Sequence, residues 1–476
     1  MAFTKKALPK KSDNISQWYN QLVLEAGLAD YGPAKGTMIF RPYGFGIWEN
    51  VQKAMDVEIK AKGVENAYFP MFIPESLLRK EKEHVAGFSP ELAVVTIGGG
   101  EELEEKLIVR PTSETIMYDA YSKWVHSWRD LPVLINQWNN VVRWEKRTYL
   151  FLRTTEFLWQ EGHTAHATHA EAYEMVLWAI NMYENIYKEF FGMAGYVGIK
   201  SKAEKFAGAL TTLTFESLMP DGKALQSCTS HDLGQNFSVP FEIKFQDKNG
   251  KTEHVWQTSW GLSTRSIGGL IMAHGDDNGL ILPPRLAPIQ AVIVPVDTQG
   301  TVVEYANKIA DVLKGAGVRV RVDARDYETF GFRINDWELK GVPIRVEAGG
   351  REAAAQTATL VRRDNGVKEV VSLAKLAAKV QTTLDDMQHG LYSQNKAFLE
   401  SNTSEAETYA EFKNIMEARK GFIRAFWCEK EDCEKKIKEE TKASTRCLPL
   451  DAKEESGNCV YCGSPAKHKW LFAQAY

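Results

Sequence analysis

Period-two alternation of apolar and polar residues is densest from Val141 to His163, VVRWEKRTYLFLRTTEFLWQEGH. Val, Trp, Phe, Leu and Thr alternate there with charge, which predicts two strands joined by a short connection. On the first strand Arg143 and Glu145 share one face, with Val142 and Trp144 on the other. On the second, Arg153, Thr155 and Phe157 share a face opposite Leu152 and Leu158. Elsewhere the period is helical. Residues 13–27 form an amphipathic pattern with Asp or Asn as its cap. From Gly44 to Lys62, Ile47, Val51, Ala54, Met55 and Ile59 recur at helical spacing, and Gly63 supplies the stop. The stretch AYFPMFIP then predicts a strand ending at Pro74. LIVRPTSET, residues 107–115, predicts a strand running into a helix capped by Thr112 or Ser113. His169 to Tyr187 reads as a long helix with a core stripe of Met175, Trp178, Ala179, Met182 and Ile186.

From Thr211 to Glu242 short strands and turns carry a polar cluster, Gln226, Thr229 and His231, that must find partners if buried. A helix rich in small residues, Ser266 to Gly275, follows Ser263, Thr264 and Arg265, and Pro283-Pro284 marks a boundary. Residues 289–388 alternate strand and helix, which predicts a small α/β domain with a largely parallel sheet. No G-x-G-x-x-G follows its first strand, so a Rossmann dinucleotide site is not expected. The tail opens with a helix and then gives two cysteine pairs, Cys428/Cys433 and Cys459/Cys462, separated by 25 residues. Two close thiol pairs suit a four-thiolate zinc site, which leaves no open position and is therefore structural. Cys447 and His468 are rival ligands; Cys228 belongs to another environment.

Composition narrows the function classes. At 476 residues the chain has room for about three domains. Lys and Arg number 58 against 62 Asp and Glu, so a uniformly basic nucleic-acid coat is excluded while local patches are not. The start, MAFTKKALPKKSDN, has lysines but no apolar core behind them, and no run approaches the roughly 18 apolar residues of a membrane span. A cytoplasmic protein is expected. Two arginines, a carboxylate and an aromatic on one hairpin surface suit phosphate or carboxylate oxygens. Taken alone, a salt-bridged sheet face is the simpler explanation of them.

The ordered set of segments resembles the three signature motifs of class II aminoacyl-tRNA synthetases. The helix-to-strand stretch through Gly63 and Pro70 is similar to motif 1, Arg143-Trp144-Glu145 to the R-x-E of motif 2, and GLSTRSIGGLIMAHGDDNGL with Arg265 to motif 3. RPTSET, FLRTTEFLWQEGH, QSCTSHDLGQNF, WELKGVP and the cysteine-bearing tail ending in tyrosine resemble the prolyl family of subclass IIa, in the form shared by archaea, eukaryotic cytosol and some bacteria. The resemblance runs from about residue 12 to Tyr476. It implies an α+β fold: a class II catalytic domain with an antiparallel sheet (1–284), a small α/β anticodon-binding domain (285–390) and a C-terminal zinc-binding α/β domain (391–476).

The implied activity is ATP-dependent activation of L-proline to prolyl-adenylate, then transfer to the 3′ end of tRNA(Pro), by a homodimer. By resemblance Arg143 and Arg265 are catalytic, with Arg143 bridging the proline carboxylate and the α-phosphate. The ATP site would comprise Arg143, Glu145, Arg153, Phe157, Gln226, Thr229, Ser263 and Arg265. Thr112, Glu114, Arg143 and His231 would surround the polar end of proline, with Trp159, His163 and Phe206 flanking its ring. Mg2+ would accompany ATP, held with help from Glu145 or Glu216; Zn2+ would sit on Cys428, Cys433, Cys459 and Cys462. Glu338, Arg345 and Arg351 match positions that read anticodon guanines, and the Tyr476 carboxylate matches one that approaches the active site. The short interval from His163 to Trp260 implies that the large editing insertion of some bacterial relatives is lacking.

Overall fold

A computed structural model describes residues 8–80, 92–418 and 420–476; the first seven residues, half of the lysine-bearing start, lie outside it. The first helix, Ile15–Glu25, is capped by Asn14, whose side chain accepts the Gln17 N–H at 3.0 Å. That contact satisfies one of the donors a helix start leaves unpaired. Its apolar stripe of Trp18, Tyr19, Leu22 and Val23 is fully buried. The helix Pro42–Ala61 buries Ile47, Val51, Met55 and Ile59 in the same core. It stops before Gly63, whose φ of +84° is the left-handed turn expected there.

The next segment departs from expectation. AYFPMFIP is a strand only over Phe72–Pro74, because Pro70 cannot donate to a ladder in its middle. Phe72–Pro74 pairs with Glu101–Val109 instead of joining the main sheet. Arg110, fully buried, then ties this unit down by donating to the carbonyls of Phe69 (2.7 Å) and Asn140 (2.8 Å).

The molecule is organised by an 11-stranded sheet. Its centre is antiparallel and runs Gly195–Ile199, Thr211–Leu218, Ala224–Gly234, Trp256–Ser263, Glu156–His166 and Val133–Val142. The helix His169–Ile186 packs across it. Gly162 is required here, since a Cβ would come within 2.2 Å of the Trp260 ring. The interval between His163 and Trp260 is filled by this helix, these strands and one small hairpin.

Two further expectations are corrected. The hairpin centred on Val141–His163 consists of Val133–Val142 and Glu156–His166, so Arg143, Glu145 and Arg153 lie in the connection and not on paired strands. Leu150, Phe151 and Leu152 are all buried there, unlike the alternation of a strand with one solvated face, and the chain turns, with Phe151 at a φ of +61°. The α/β domain carries a mixed sheet. Val320–Val322, Ala291–Pro295 and Ile344–Ala348 are parallel, while Thr357–Arg362 and Lys368–Ser372 are antiparallel. Only the short helix Gly350–Ala355 links Ile344–Ala348 to Thr357–Arg362, too little chain for a parallel crossover of a dozen or more residues.

The C-terminal segment does not stand apart from the catalytic sheet. A 29-residue helix, Leu373–Ser401, leads into it, and its strand Ser444–Pro449 pairs with Gly195–Ile199 to extend the sheet. Gly198 permits this approach: a Cβ would lie 2.4 Å from the Leu448 carbonyl oxygen. Among the described residues no helix is long and apolar enough to cross a membrane.

Candidate active site

The strand ends converge on a cavity of ≈ 170 Å³. Thr112, Glu114, Arg143, Phe157, Trp159, His163, Phe206, Gln226, Thr229, His231, Ser263 and Arg265 all line it. That volume is below the ~300 Å³ at which drug-sized pockets begin, and suits a small substrate. Glu145 and Arg153 line an adjoining cavity that shares Arg143, Phe157, Ser263 and Arg265 with the first. The candidates for one site therefore do lie together, in two connected halves.

Spacing alone places Gln226 on the face opposite Thr229 and His231. A β-bulge resolves this: Phe215 pairs with Cys228 but Glu216 pairs with Gln226, leaving Ser227 as the extra residue. The bulge turns Gln226 to the face of Thr229 and His231. His231 itself is held at both nitrogens, Nδ1 to Thr212 Oγ1 and Nε2 to Thr229 Oγ1, each at 3.0 Å. Burial, with His163 and Arg143 nearby, lowers its pKa to about 3, so the imidazole is neutral. Phe206 stacks on it with ring centroids 4.5 Å apart.

Beneath the half lined by Thr112, Glu114 and His163 lies Glu161, which the motifs did not single out. It is 1 % exposed and accepts hydrogen bonds from Gln137 (3.1 Å), Asn139 (2.6 Å) and the Ser113 backbone and hydroxyl. Ser113 thus spends its hydroxyl on Glu161 and makes no cap, although the helix Glu114–Trp124 does begin after it. His163 Nε2 lies 2.9 Å from Glu161, and its Nδ1 lies 3.2 Å from the Tyr118 hydroxyl. Burial opposes the charged form of His163, but the Glu161 hydrogen bond and the Glu114 charge outweigh it and raise its pKa. Burial likewise opposes ionised Glu161, and the same His163 contact with Ser113 and Asn139 holds its pKa low. Thr112 donates to Glu114 at the cavity wall. Ser259, also in the wall, was missed; its hydroxyl and the Trp159 indole N–H are buried with no protein partner among the described residues.

The other half is cationic. Arg143 donates to the Pro111 carbonyl at 3.0 Å, with its guanidinium carbon 5.5 and 5.4 Å from the Phe157 and Trp159 rings. Arg265 donates to the Leu152 carbonyl at 3.0 Å. Burial, with Arg143 and Arg153 close, lowers its pKa to about 10, still fully protonated at neutral pH. Arg153 is half-exposed and pairs with Glu145 at 2.9 Å. Glu216, the other carboxylate considered for Mg2+, lines neither cavity. It is fully buried between Lys200 (2.7 Å) and Arg446 (2.9 Å), and burial is overcome by these two cations, which keep it ionised. A carboxylate so enclosed has no oxygen to offer a metal, and the magnesium expectation narrows to Glu145.

Two outlying sites complete the picture. Glu338 and Arg345 line a second cavity of ≈ 400 Å³ together with Trp337, Arg362 and Lys368, whereas Arg351 is exposed on the helix Gly350–Ala355 and does not line it. Arg345 is paired with Glu347 at 2.9 Å. In the tail, the sulfurs of Cys428, Cys433, Cys459 and Cys462 all lie within 4.8 Å of one another, two pairs at 3.6 and 3.7 Å. Tetrahedral zinc with sulfur at about 2.3 Å needs sulfurs about 3.8 Å apart, so the set fits. Cys447 and His468 are not in the cluster; His468 faces Glu429 at 3.5 Å. Tyr476 is tied by its backbone N–H to Ala224 O at 3.2 Å, at the start of the strand that carries Gln226.

Comparison with known proteins agrees with this arrangement. Residues 95–274 match the family model described as tRNA synthetase class II core domain (G, H, P, S and T). Residues 290–383 match the anticodon binding domain, and 409–476 the C-terminal domain of prolyl-tRNA synthetase. Among curated relatives, the proline–tRNA ligase of Rubrobacter xylanophilus is 52% identical over 98% of both chains. Those of Chloroherpeton thalassium (50% identical, 98% of this chain and 99% of the relative) and Alkaliphilus oremlandii (49%, 100% and 98%) are similar over the same extent. A pocket with convergent arginines, a four-thiolate tail and half-identity along the whole chain agree on one assignment: this chain belongs to the prolyl-tRNA synthetase family of class II aminoacyl-tRNA synthetases.

Proposed function

We propose that the chain is a proline–tRNA ligase, and that its residues divide the work as follows. Proline's carboxylate attacks the α-phosphorus of ATP, forming the acyl–phosphate bond as pyrophosphate leaves; a ribose hydroxyl of tRNA(Pro) then takes the prolyl group and AMP departs. The observation that carries this reading is Arg143, seated between Phe157 and Trp159 where the two cavity halves meet. Two anions must approach there, and a fixed guanidinium offsets their repulsion and the charge that develops in the transition state. The attacking carboxylate is already ionised at neutral pH, so no general base is required.

Thr112, Glu114 and neutral His231, with Arg143, surround the polar end of proline, and Trp159, His163 and Phe206 shape the slot for its ring. Arg153 and Arg265 hold the polyphosphate, Phe157 the adenine, and Gln226, Thr229 and Ser263 the remaining polar atoms of the nucleotide. Mg2+, held with help from Glu145, would neutralise phosphate charge. Zn2+ on Cys428, Cys433, Cys459 and Cys462 would be structural, and thiolates of this kind survive where thiols stay reduced, which supports a cytoplasmic location. Glu338 and Arg345 would read anticodon bases, with Arg351 a more distant contact. The boundaries 284/285 and 390/391 stay our division of the chain. A homodimer would cover exposed apolar residues near motif 1, where Tyr68 is 71% and Val57 68% exposed; sedimentation tests that.

The experiment is amino-acid-dependent ATP–pyrophosphate exchange with each of the twenty amino acids. Proline should support the fastest exchange, with alanine and cysteine as weak intruders, because an apolar slot discriminates poorly against smaller shapes. A maximum with any other amino acid contradicts the reading.

A further inference from the structure

One wall of the amino-acid pocket is braced from outside the catalytic unit. The connection between the strands Gly195–Ile199 and Thr211–Leu218 contributes Glu204 and Phe206 to the cavity, and Phe206 is the ring stacked on His231. Within the catalytic unit this loop is tied at Lys200, whose N–H donates to the Thr212 carbonyl at 2.9 Å, at Phe206, whose N–H donates to Thr212 Oγ1 at 3.0 Å, and at Gly208, which accepts from Asn236 at 2.9 Å. Between Lys200 and Phe206 the C-terminal tail adds its own hold, at Ser201 and Glu204. Ser201 donates to Glu434 Oε1 at 2.9 Å, and Thr445 donates to the same carboxylate with its Oγ1 3.1 Å from Ser201 Oγ. Glu204 pairs with Lys438 at 3.0 Å, and Lys200 meets Arg446 through the shared, fully buried Glu216.

Two of these ties differ in weight. The Glu204–Lys438 pair is solvated and contributes little. Ser201, Glu434 and Thr445 are buried and meet at Glu434 Oε1, while Glu434 Oε2 is buried with no protein partner among the described residues. Glu434 also follows Cys433 directly in the helix Glu431–Thr441. Whatever fixes Cys433 fixes the carboxylate that grips Ser201.

We infer that the C-terminal unit positions the amino-acid pocket: Glu434, anchored beside the zinc-binding Cys433, grips Ser201 and so sets the loop 200–210 that presses Phe206 against His231. Glu434 is a positioning residue that touches no substrate. The tail is then not only a self-contained metal-stapled module but part of what lets the pocket close on a small ring. The inference rests on the proposed reading of this pocket as the proline site.

The test uses the full-length, zinc-loaded protein with Glu434→Ala, and Ser201→Ala as a second variant that leaves the tail sequence intact. Losing a buried hydrogen-bonded carboxylate should raise the KM for proline about tenfold in Glu434→Ala, with kcat and the KM for ATP within about twofold. Zinc content measured with a chromogenic chelator should match wild type, and amides of residues 201–209 should exchange hydrogen faster while those of Glu156–His166 do not. Should Glu434→Ala not fold, Ser201→Ala is expected to show the same KM split on a smaller scale. An unchanged proline KM with unchanged exchange at 201–209 overturns the inference. Proline and ATP KM rising together with uniformly faster exchange across the sheet overturns it too, as plain loss of stability. Absence of proline-dependent exchange in wild type would instead strike the functional reading, and the hydrogen-exchange comparison would still decide the coupling.

Discussion

The two halves of the pocket, which we assign to the amino acid and to the nucleotide, are built on opposite plans. At the amino-acid end, Glu161 is 1 % exposed and fully engaged, and both His163 and His231 have both ring nitrogens occupied. At the nucleotide end, Arg153 is half-exposed, Trp144 is 59% exposed, and the stretch from Arg143 to Thr155 belongs to no paired strand. The difference follows from what each end must recognise. Proline offers a compact apolar ring with few polar atoms, so discrimination has to come from a slot whose walls do not yield. ATP offers a polyanion, and long arginines can meet it with modest preorganisation because the attraction is strong and multiply shared.

Arg143 belongs to both halves, and its removal breaks the comparison most severely. Arg143→Ala should lower proline-dependent exchange by at least ~10³-fold, since losing one donor aimed at developing charge already costs ~10²–10³. Steady-state exchange with circular dichroism as a fold control checks this.

A smaller effect sharpens the contrast through pH. Burial holds His231 at about 3, and His166 and His274 at about 4, against an ordinary value of about 6.5. Between those values the unfolded chain takes up protons that the native chain refuses, so stability falls as pH drops below about 6.5. Each histidine contributes at most ~1.4 kcal/mol per pH unit to that slope. His163 works in the opposite sense: its raised pKa stabilises below about 6.5 and the contribution fades as pH rises through the native value. Urea midpoints between pH 7 and 5 should therefore decline, and His231→Gln should remove about a third of the decline assigned to the three buried neutral rings.

Much of this was legible in the chain. The Asn14 cap, the Gly63 stop and the paired cysteines are local signals with a local physical cause, and each is where the pattern put it. Arg143, Arg265 and the pocket residues were reached through motif order, and the fold does bring them to one cavity. What escaped has causes that alternation does not carry. Glu161 sits two residues from both Trp159 and His163, on the pocket face of its strand, and only its five buried hydrogen-bond contacts distinguish it from a solvated carboxylate. The bulge at Ser227 is a two-strand property, invisible from one strand. Strand Ser444–Pro449 joins the catalytic sheet across some 250 residues of chain, and no local pattern records a pairing partner so distant. The Glu216 ion-pair cluster follows from that same distant pairing, which is why a metal role for it looked open.

The most direct test of the contrast is a side-by-side measurement of KM for proline and for ATP in Glu161→Gln and Arg153→Ala. Glu161→Gln removes the negative charge that orients His163 and Ser113, so the KM for proline should rise ~10-fold or more while that for ATP stays within about twofold. Arg153→Ala should do the reverse, raising the KM for ATP several-fold and leaving proline nearly untouched. If both variants shift the two constants together, the pocket acts as a single unit and the division between a rigid amino-acid end and a yielding nucleotide end is wrong.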